Sequence, residues 1–272
     1  MRDNFQTNSK IQIVNLKCLY LVSCNLFLHE MYIAGLQKTT LVDFPGLVAA
    51  TVFTRGCSFR CGFCHNPELV IPEKFIPAYG EEEIYKFLDK RVGKLKGVCI
   101  TGGEPLLQND ISDFISHIKA MGFKVKLDTN GSFPDKLERI IGEGDVSYYA
   151  MDIKSPFHKY EKVTSLKLKV QSEKPKLKVE NLLTDNIKRS IKMLMNSGID
   201  YEFRTTVAKP YHEPDDFLHI GEMISGAKKY YIQNFVKSKH IDEHENFESF
   251  SADELDLSLK NIQPFVDFAA IR

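Results

Sequence analysis

The chain has 272 residues, 43% of them hydrophobic and 26% charged, and its 36 Lys and Arg balance its 36 Asp and Glu. Such a composition excludes disordered and collagen-like chains, and a formal net charge of zero supplies no overall attraction to nucleic acid or to an anionic membrane. No stretch of about 18 uninterrupted apolar residues occurs, which predicts no membrane-spanning helix and a cytoplasmic protein with one large core.

Residues 1–30 differ from the rest of the chain. Positions 11–28 are largely apolar, yet Gln12, Asn15, Lys17 and Asn25 interrupt them and no small-x-small cleavage site comes after. A signal peptide therefore fits poorly, despite Arg2 and Lys10. The expectation is a non-native or disordered extension ahead of a start at Met31, with Cys18 and Cys24 incidental, and a single domain over 31–272. From Met31 onward, short apolar runs at 48–54, 97–100, 123–128, 147–152, 201–207 and 229–235 read as buried strands bounded by turn residues. Amphipathic segments alternate with them. Ile84, Phe87, Leu88 and Val92 share one helix face, and Ile111, Phe114, Ile115 and Ile118 share a second. Ile187, Ile191, Leu194 and Met195 form a third face, and Phe217, Ile220 and Ile224 a fourth. Repeated strand–helix alternation predicts an α/β fold of parallel strands with right-handed crossovers. Six such units favour an incomplete parallel (β/α)6 barrel over a full one, with the chemistry at the C-terminal ends of the strands. One segment breaks the rhythm: residues 158–179 hold seven Lys against two Glu. It reads as a solvated loop, with a docking surface for an acidic partner as the weaker alternative.

Three of the six cysteines, Cys57, Cys61 and Cys64, form a C-x3-C-x2-C triplet just past a predicted strand. Disulfide frameworks belong to short, Cys-rich secreted chains, so this local triplet reads as metal ligands in a reducing compartment. A closed zinc site needs a fourth ligand. Cys99 lies far along the chain within a predicted strand, and His65 is adjacent to Cys64, where the two rarely point at one tetrahedral ion. Three thiolates without a fourth suit one [4Fe–4S] cluster per chain with an iron left open for a substrate; zinc is the alternative.

The triplet, with Phe63 before its last Cys, resembles the signature of the radical S-adenosylmethionine (radical SAM) superfamily. Thr101-Gly102-Gly103-Glu104-Pro105, after the next strand, resembles the GGEP motif of that superfamily. Further stretches match in order: GLQKTTLVDFPG at 35–46, CHNPE at 64–68, KLDTNG at 126–131, MDIK at 151–154, YEFRTTV at 201–207 and YYIQNF at 230–235. Together they are similar to the activating proteins of anaerobic ribonucleoside-triphosphate reductase, with pyruvate formate-lyase activating enzymes as relatives. The resemblance runs from about Met31 to Phe235. The Lys-rich segment looks longer than usual, and the chain after Lys237 has no place in the pattern.

The resemblance implies that Cys57, Cys61 and Cys64 hold the cluster while Gly102, Gly103 and Glu104 position the SAM ammonium. Asp128, Thr129, Asn130, Asp152, Lys154, Arg204 and Gln233 fall at predicted strand ends, where a barrel gathers its pocket. Lys154 and Arg204 are implied to help hold SAM, or else to be ion-pair partners at the barrel rim. Asp128 and Asp152 offer oxygens suited to a hard cation, and relatives that activate pyruvate formate-lyase place a monovalent cation at similar positions; helix capping is the alternative. His65 reads as a proton shuttle or a loop-shaping hydrogen-bond partner, Cys99 as a buried apolar filler and Met151 as core. Asp43 has no role that the sequence supplies. The implied function is reductive cleavage of SAM to a 5′-deoxyadenosyl radical that generates a glycyl radical on anaerobic ribonucleoside-triphosphate reductase. A flavodoxin- or ferredoxin-like protein would donate the electron. The alternatives are a pyruvate formate-lyase-like partner, a small molecule such as a deazapurine precursor, or a non-catalytic iron–sulfur or zinc module. No cysteine occurs after Cys99, which excludes an inserted ferredoxin-like pair of clusters.

Overall fold

Val98, Cys99 and Ile100 are wholly buried, and so are Tyr149, Ala150 and Met151. Continuous runs of this kind make strands covered on both faces, as parallel sheets require. The computed structural model describes residues 31–164, 176–237 and 246–272. Its strands are β1 (Ile33–Thr40), β2 (Ala49–Thr54), β3 (Gly97–Gly102), β4 (Lys124–Thr129), β5 (Val146–Asp152), β6 (Asp200–Val207), β7 (Tyr230–Asn234) and β8 (Ala269–Ile271). They form one open sheet in chain order. β1 lies antiparallel to β2, and every later pair is parallel. The result is a mixed α/β fold with the incomplete (β/α)6 barrel that the six predicted strands imply.

The helices are α1 (Pro67–Val70), α2 (Glu81–Asp89), α3 (Ile111–Ala120), α4 (Pro134–Glu143), α5 (Tyr160–Thr164), α6 (Lys176–Asn196), α7 (Asp216–Met223) and α8 (Ala252–Ile262). The predicted apolar faces turn inward: Ile84 and Leu88, then Ile111, Phe114, Ile115 and Ile118, then Ile187, Ile191 and Leu194, then Phe217, Ile220 and Ile224 are all buried. Val92 is a correction. It is 52% exposed because α2 stops at Asp89 and its face does not extend that far. Both ends of the Lys-rich segment are helical, in α5 and at the start of α6; residues 165–175 and the proposed extension at 1–30 lie outside the described residues. Among the described residues, no helix is long and apolar enough to cross a membrane.

Two strands lie beyond the six predicted. β1 occupies part of the 35–46 stretch, which was expected only to precede the first strand. Gln37, Lys38 and Thr39 are exposed in it or nearly so, and its register with β2 shifts twice, so no clean alternation marks it. β8 is three residues long, too short to register as a periodic signal. It is preceded by α8, whose N-terminus carries a reciprocal capping box between Ser251 and Glu254.

The exits of β2 and β3 are bound through their backbones. Gly103 N donates to Thr54 O at 2.9 Å and Glu104 N to Gly56 O at 2.7 Å. A Cβ on Gly103 would stand 1.9 Å from Gly56 O, and one on Gly102, whose φ is +119°, 2.4 Å from Thr54 N. Any side chain at 103 must push these strand ends apart. Gly103→Ala should therefore lower the urea midpoint by the equivalent of about 1–3 kcal/mol. Gly142→Ala, in α4 where a Cβ meets nothing within 4 Å, should hold or raise it.

Candidate active site

The chain leaving β2 crosses the strand ends as a loop that two aromatic side chains pin down. Phe59 is buried in the main core with its ring 6.3 Å from that of Tyr160. Phe63 packs among Tyr211, His212 and Phe247. Cys61 lies between these anchors and Cys57 and Cys64 flank them, and all three are free thiols facing a cavity of about 300 Å³. Burial pushes the Cys57 thiol up to about 12, with Glu104 adding to the effect. Burial likewise raises Cys61 to about 11, against the pull of Lys154, and raises Cys64 as well. Thiolates here need a bound cation to form at neutral pH.

The donor set fits an iron–sulfur cluster. Cys57 Sγ accepts from Phe59 N at 3.3 Å and from Asn130 Nδ2 at 3.6 Å, the kind of N–H contact that tunes cluster sulfurs. Among the described residues, no three His, Cys, Asp or Glu side chains converge as one tetrahedral zinc would need. A four-iron cluster makes no such demand, because each thiolate takes a different iron.

Gly102 and Gly103 line the same cavity, which is where the sequence motif placed them. Glu104 does not line it. Its carboxylate is wholly buried behind the turn and accepts from Leu106 N at 3.0 Å, Thr129 Oγ1 at 2.8 Å and Asn130 N at 2.6 Å. Burial lifts this carboxyl to about 7, and the three donors oppose the rise. Glu104 thus ties the β3 turn to the end of β4, and Asn130 is carried with it. The Asn130 amide reaches Ser58 Oγ at 3.2 Å as well as Cys57, so it bridges the strand end to the cysteine loop.

Across the cavity stands a chain of charges. Arg204 Nη2 donates to Asp128 Oδ2 at 3.0 Å and Arg204 Nε to Asp152 Oδ1 at 2.5 Å. Lys154 Nζ donates to Asp152 Oδ2 at 2.8 Å, and Lys126 Nζ to Asp128 Oδ1. Burial disfavours every one of these charges, but the pairing outweighs it. Arg204 and Lys154 hold the Asp152 carboxyl well below the usual carboxylate range, and Arg204 and Lys126 hold Asp128 down. The same carboxylates raise Lys154, Lys126 and Arg204. Asp128 and Asp152 therefore do not cap helices; each of their four oxygens accepts from a protein cation. Gln233 lines the cavity from β7, and its Oε1 lies 3.5 Å from Thr206 Oγ1.

Several features escaped the sequence. Lys126, although within a matched stretch, received no role, yet it is 1% exposed; its two-residue spacing from Asp128 on one strand face was the available signal. Cys99 is buried as expected but not apolar in its setting: its Sγ lies 3.7 Å from Lys126 Nζ and 3.8 Å from Asp128 Oδ1. Neighbouring strands, not flanking residues, supply those partners. Asp43 accepts from Thr51 Oγ1 at 2.5 Å, and both line the cavity. His212 is buried, with Nε2 2.8 Å from Lys154 O, and so fixes the backbone that presents Lys154. His65 lies at the cavity with its ring 5.6 Å from that of Phe235; burial, then Lys154, lowers its pKa. Met151 is core, against Gly131.

The model of the radical SAM superfamily matches residues 51–224, well over half of the chain, from within β2 through α7. The chain belongs to the radical SAM superfamily. Membership makes it an oxidoreductase of the kind that works with a [4Fe–4S] cluster and SAM. It is 28% identical over 212 residues to a Methanocaldococcus jannaschii protein whose name gives it as a proposed glycyl-radical enzyme activating enzyme, covering 78% of this chain and 82% of that one. It is 37% identical over 127 residues to the pyruvate formate-lyase-activating enzyme of Listeria monocytogenes, covering 42% of this chain and 49% of that one. It is 31% identical over 137 residues to the 7-carboxy-7-deazaguanine synthase of Methanopyrus kandleri, covering 42% of this chain and 52% of that one. The last two matches thus span about half the length of those two relatives.

The charge chain sets the acid limb of stability. Asp128 and Asp152 have native values below the ordinary 3.8, so their contribution is complete above that value and is lost as pH falls through the depressed ones. The unfolding temperature should decline below about pH 4, as these two carboxylates lose their charge. Asp152→Asn should lower it at neutral pH and flatten that decline, as read by circular dichroism melts.

Proposed function

We propose that this chain is a glycyl-radical-generating activase. The observation that carries the reading is that one cavity joins three thiols, a Gly-Gly turn and a charged wall, as SAM held on an open iron would require. The likeness to the M. jannaschii protein, over most of both chains, supports the glycyl-radical class. Within that class, the relatives' names favour a pyruvate formate-lyase-like partner. Anaerobic ribonucleoside-triphosphate reductase is supported by the sequence stretches alone. A small-molecule substrate of deazapurine type is the second reading, favoured by the match to the deazaguanine synthase.

When bound, the cluster and SAM supply one-electron cleavage of SAM to methionine and a 5′-deoxyadenosyl radical, with the electron from a flavodoxin- or ferredoxin-like donor. The chain's own part is to hold and to exclude. Cys57, Cys61 and Cys64 would ligate the cluster, and Asn130 would hold Cys57 Sγ and the loop in place. The backbone of Gly102 and Gly103 would face the SAM ammonium, with Glu104 as the brace behind it. Arg204 and Lys154 would present positive charge to the SAM carboxylate, and Gln233 would close the far wall. The aromatic group around Phe63 would keep water from the loop's outer side.

The test is anaerobic reconstitution with SAM and reductant, and then mixing with a pyruvate formate-lyase and, separately, with an anaerobic ribonucleotide reductase. The readout is electron paramagnetic resonance. A glycyl-type doublet on one partner, absent with Cys61→Ala, is the expected result and identifies that partner. Cleaved SAM with no doublet on either would overturn the activase reading in favour of a small-molecule substrate. Asn130→Ala should weaken cluster retention by about 10- to 100-fold, measured as iron lost to a chelator.

A further inference from the structure

β5 ends at Asp152, and the two residues that follow are held in different ways. Ile153 still belongs to the sheet: its N donates to Arg204 O at 2.9 Å and its O accepts from Thr205 Oγ1 at 2.7 Å. At Lys154 two side chains take over. Its N donates to Tyr160 Oη at 3.3 Å, and its O accepts from His212 Nε2 at 2.8 Å. Backbone groups removed from water need some partner, so the bonds alone say nothing of function. What sets these partners apart is where their rings go. Tyr160, 1% exposed, meets Phe59 edge to face at 6.3 Å, and His212, 4% exposed, meets Phe63 in the same manner at 5.7 Å. Phe59 and Phe63 stand two residues to either side of Cys61. The backbone of Lys154 is thereby joined, on its N–H side and on its carbonyl side, to the two anchors of the cysteine loop. A backbone bond repeats the first join: Arg60 N donates to Thr164 O at 2.8 Å, at the end of α5, which Tyr160 begins.

Resting on the SAM reading of the cavity, we propose that Tyr160 and His212 are positioning residues that key Lys154 to the cysteine loop, so that filling the loop with its cluster also sets Lys154 for the SAM carboxylate. Lys154 lines the cavity and neither of its two holders does, so their effect passes through it. A lysine stem is flexible, and where its ammonium arrives depends on where its backbone is held. That ammonium has Asp152 Oδ2 at 2.8 Å on the sheet side, while a ligand on the cluster would have its place set by the loop. A join between the loop and the Lys154 backbone brings the two frames into one. The chemistry of each bond suits a fixed join. His212 Nε2 faces a carbonyl and so carries the proton, which leaves Nδ1 to accept from Ala208 N at 3.2 Å. Burial lowers the pKa of this imidazole and keeps it in the neutral form that makes both bonds. Tyr160 accepts through its oxygen and packs through its ring, so loss of the oxygen alone separates holding from packing.

Hydrogen–deuterium exchange of the full chain, read by mass spectrometry over residues 153–156 with and without the reconstituted cluster, tests the join with no SAM present. In wild type the cluster should slow exchange there by at least about tenfold. In Tyr160→Phe, which keeps the ring on Phe59 but loses the acceptor, it should slow exchange by less than about threefold. Wild-type exchange that ignores the cluster would overturn the proposal, as would a Tyr160→Phe response equal to that of wild type. SAM affinity by calorimetry is the second arm. At unchanged iron content, Tyr160→Phe and His212→Leu should each bind SAM about five- to tenfold more weakly. Added to Lys154→Met, either change should cost less than about twofold. An equal loss in both backgrounds would make the pair general scaffolding and overturn the proposal. Should His212→Leu not fold, Tyr160→Phe carries both arms. Wild type that binds no SAM would instead defeat the SAM reading, and the exchange arm would still decide the join.

Discussion

The architecture of this site hangs on the backbone contact between the end of β2 and the Gly-Gly turn after β3. Two hydrogen bonds, from Gly103 N to Thr54 O and from Glu104 N to Gly56 O, set the strand exits so close that neither glycine tolerates a Cβ. The cysteine loop starts one residue beyond this contact, so its origin is fixed by the sheet and not by its own flexible interior. Glu104 extends the same contact sideways. By accepting from Thr129 and from Asn130 N, it brings β4 into register with the turn and delivers the Asn130 amide to Cys57. Three strands are thus aligned at one level by backbone hydrogen bonds and by one carboxylate, that of Glu104, which does not line the cavity. The motif's acidic residue is a brace, and the cavity inherits its shape from it.

The opposite wall obeys a different rule. Where the thiol side is organised by backbone, the β4–β6 side is organised by charge, with the Arg204 fork spanning Asp128 and Asp152 on the two preceding strands. Guanidinium suits this because its donors are held in a plane, whereas an ammonium would have to choose one carboxylate. Each buried charge alone would be costly, but here desolvation is met by pairing at every oxygen. His212 completes the arrangement from outside by holding the Lys154 carbonyl.

Much of this was legible in the sequence, for identifiable reasons. The six central parallel strands announced themselves because burial on both faces forces unbroken apolar runs such as 98–100 and 148–151. The cysteine triplet and the Gly-Gly pair were legible because their chemistry is tied to spacing within a short segment. What stayed hidden depends on contacts between segments. β1 has an exposed stretch and two register shifts, which erase alternation. Glu104 looked like a ligand contact because a motif says which residue is present, not which way it turns. Lys126 received no role and Cys99, buried as expected, was read as an apolar filler, because the contacts between them join neighbouring strands and leave no mark in either segment alone.

Strand order that equals chain order has a consequence for how the protein is made. Each strand pairs with the one synthesised just before it, so no strand pairing in the sheet waits for a distant part of the chain. The cysteine loop and the glycine turn that locks it emerge in the first half of synthesis. Arg204 and Gln233 come only with β6 and β7. Until they do, the residues that line the cavity opposite the thiols do not yet exist in the chain, so the complete site belongs to the whole sheet and to no shorter piece of it.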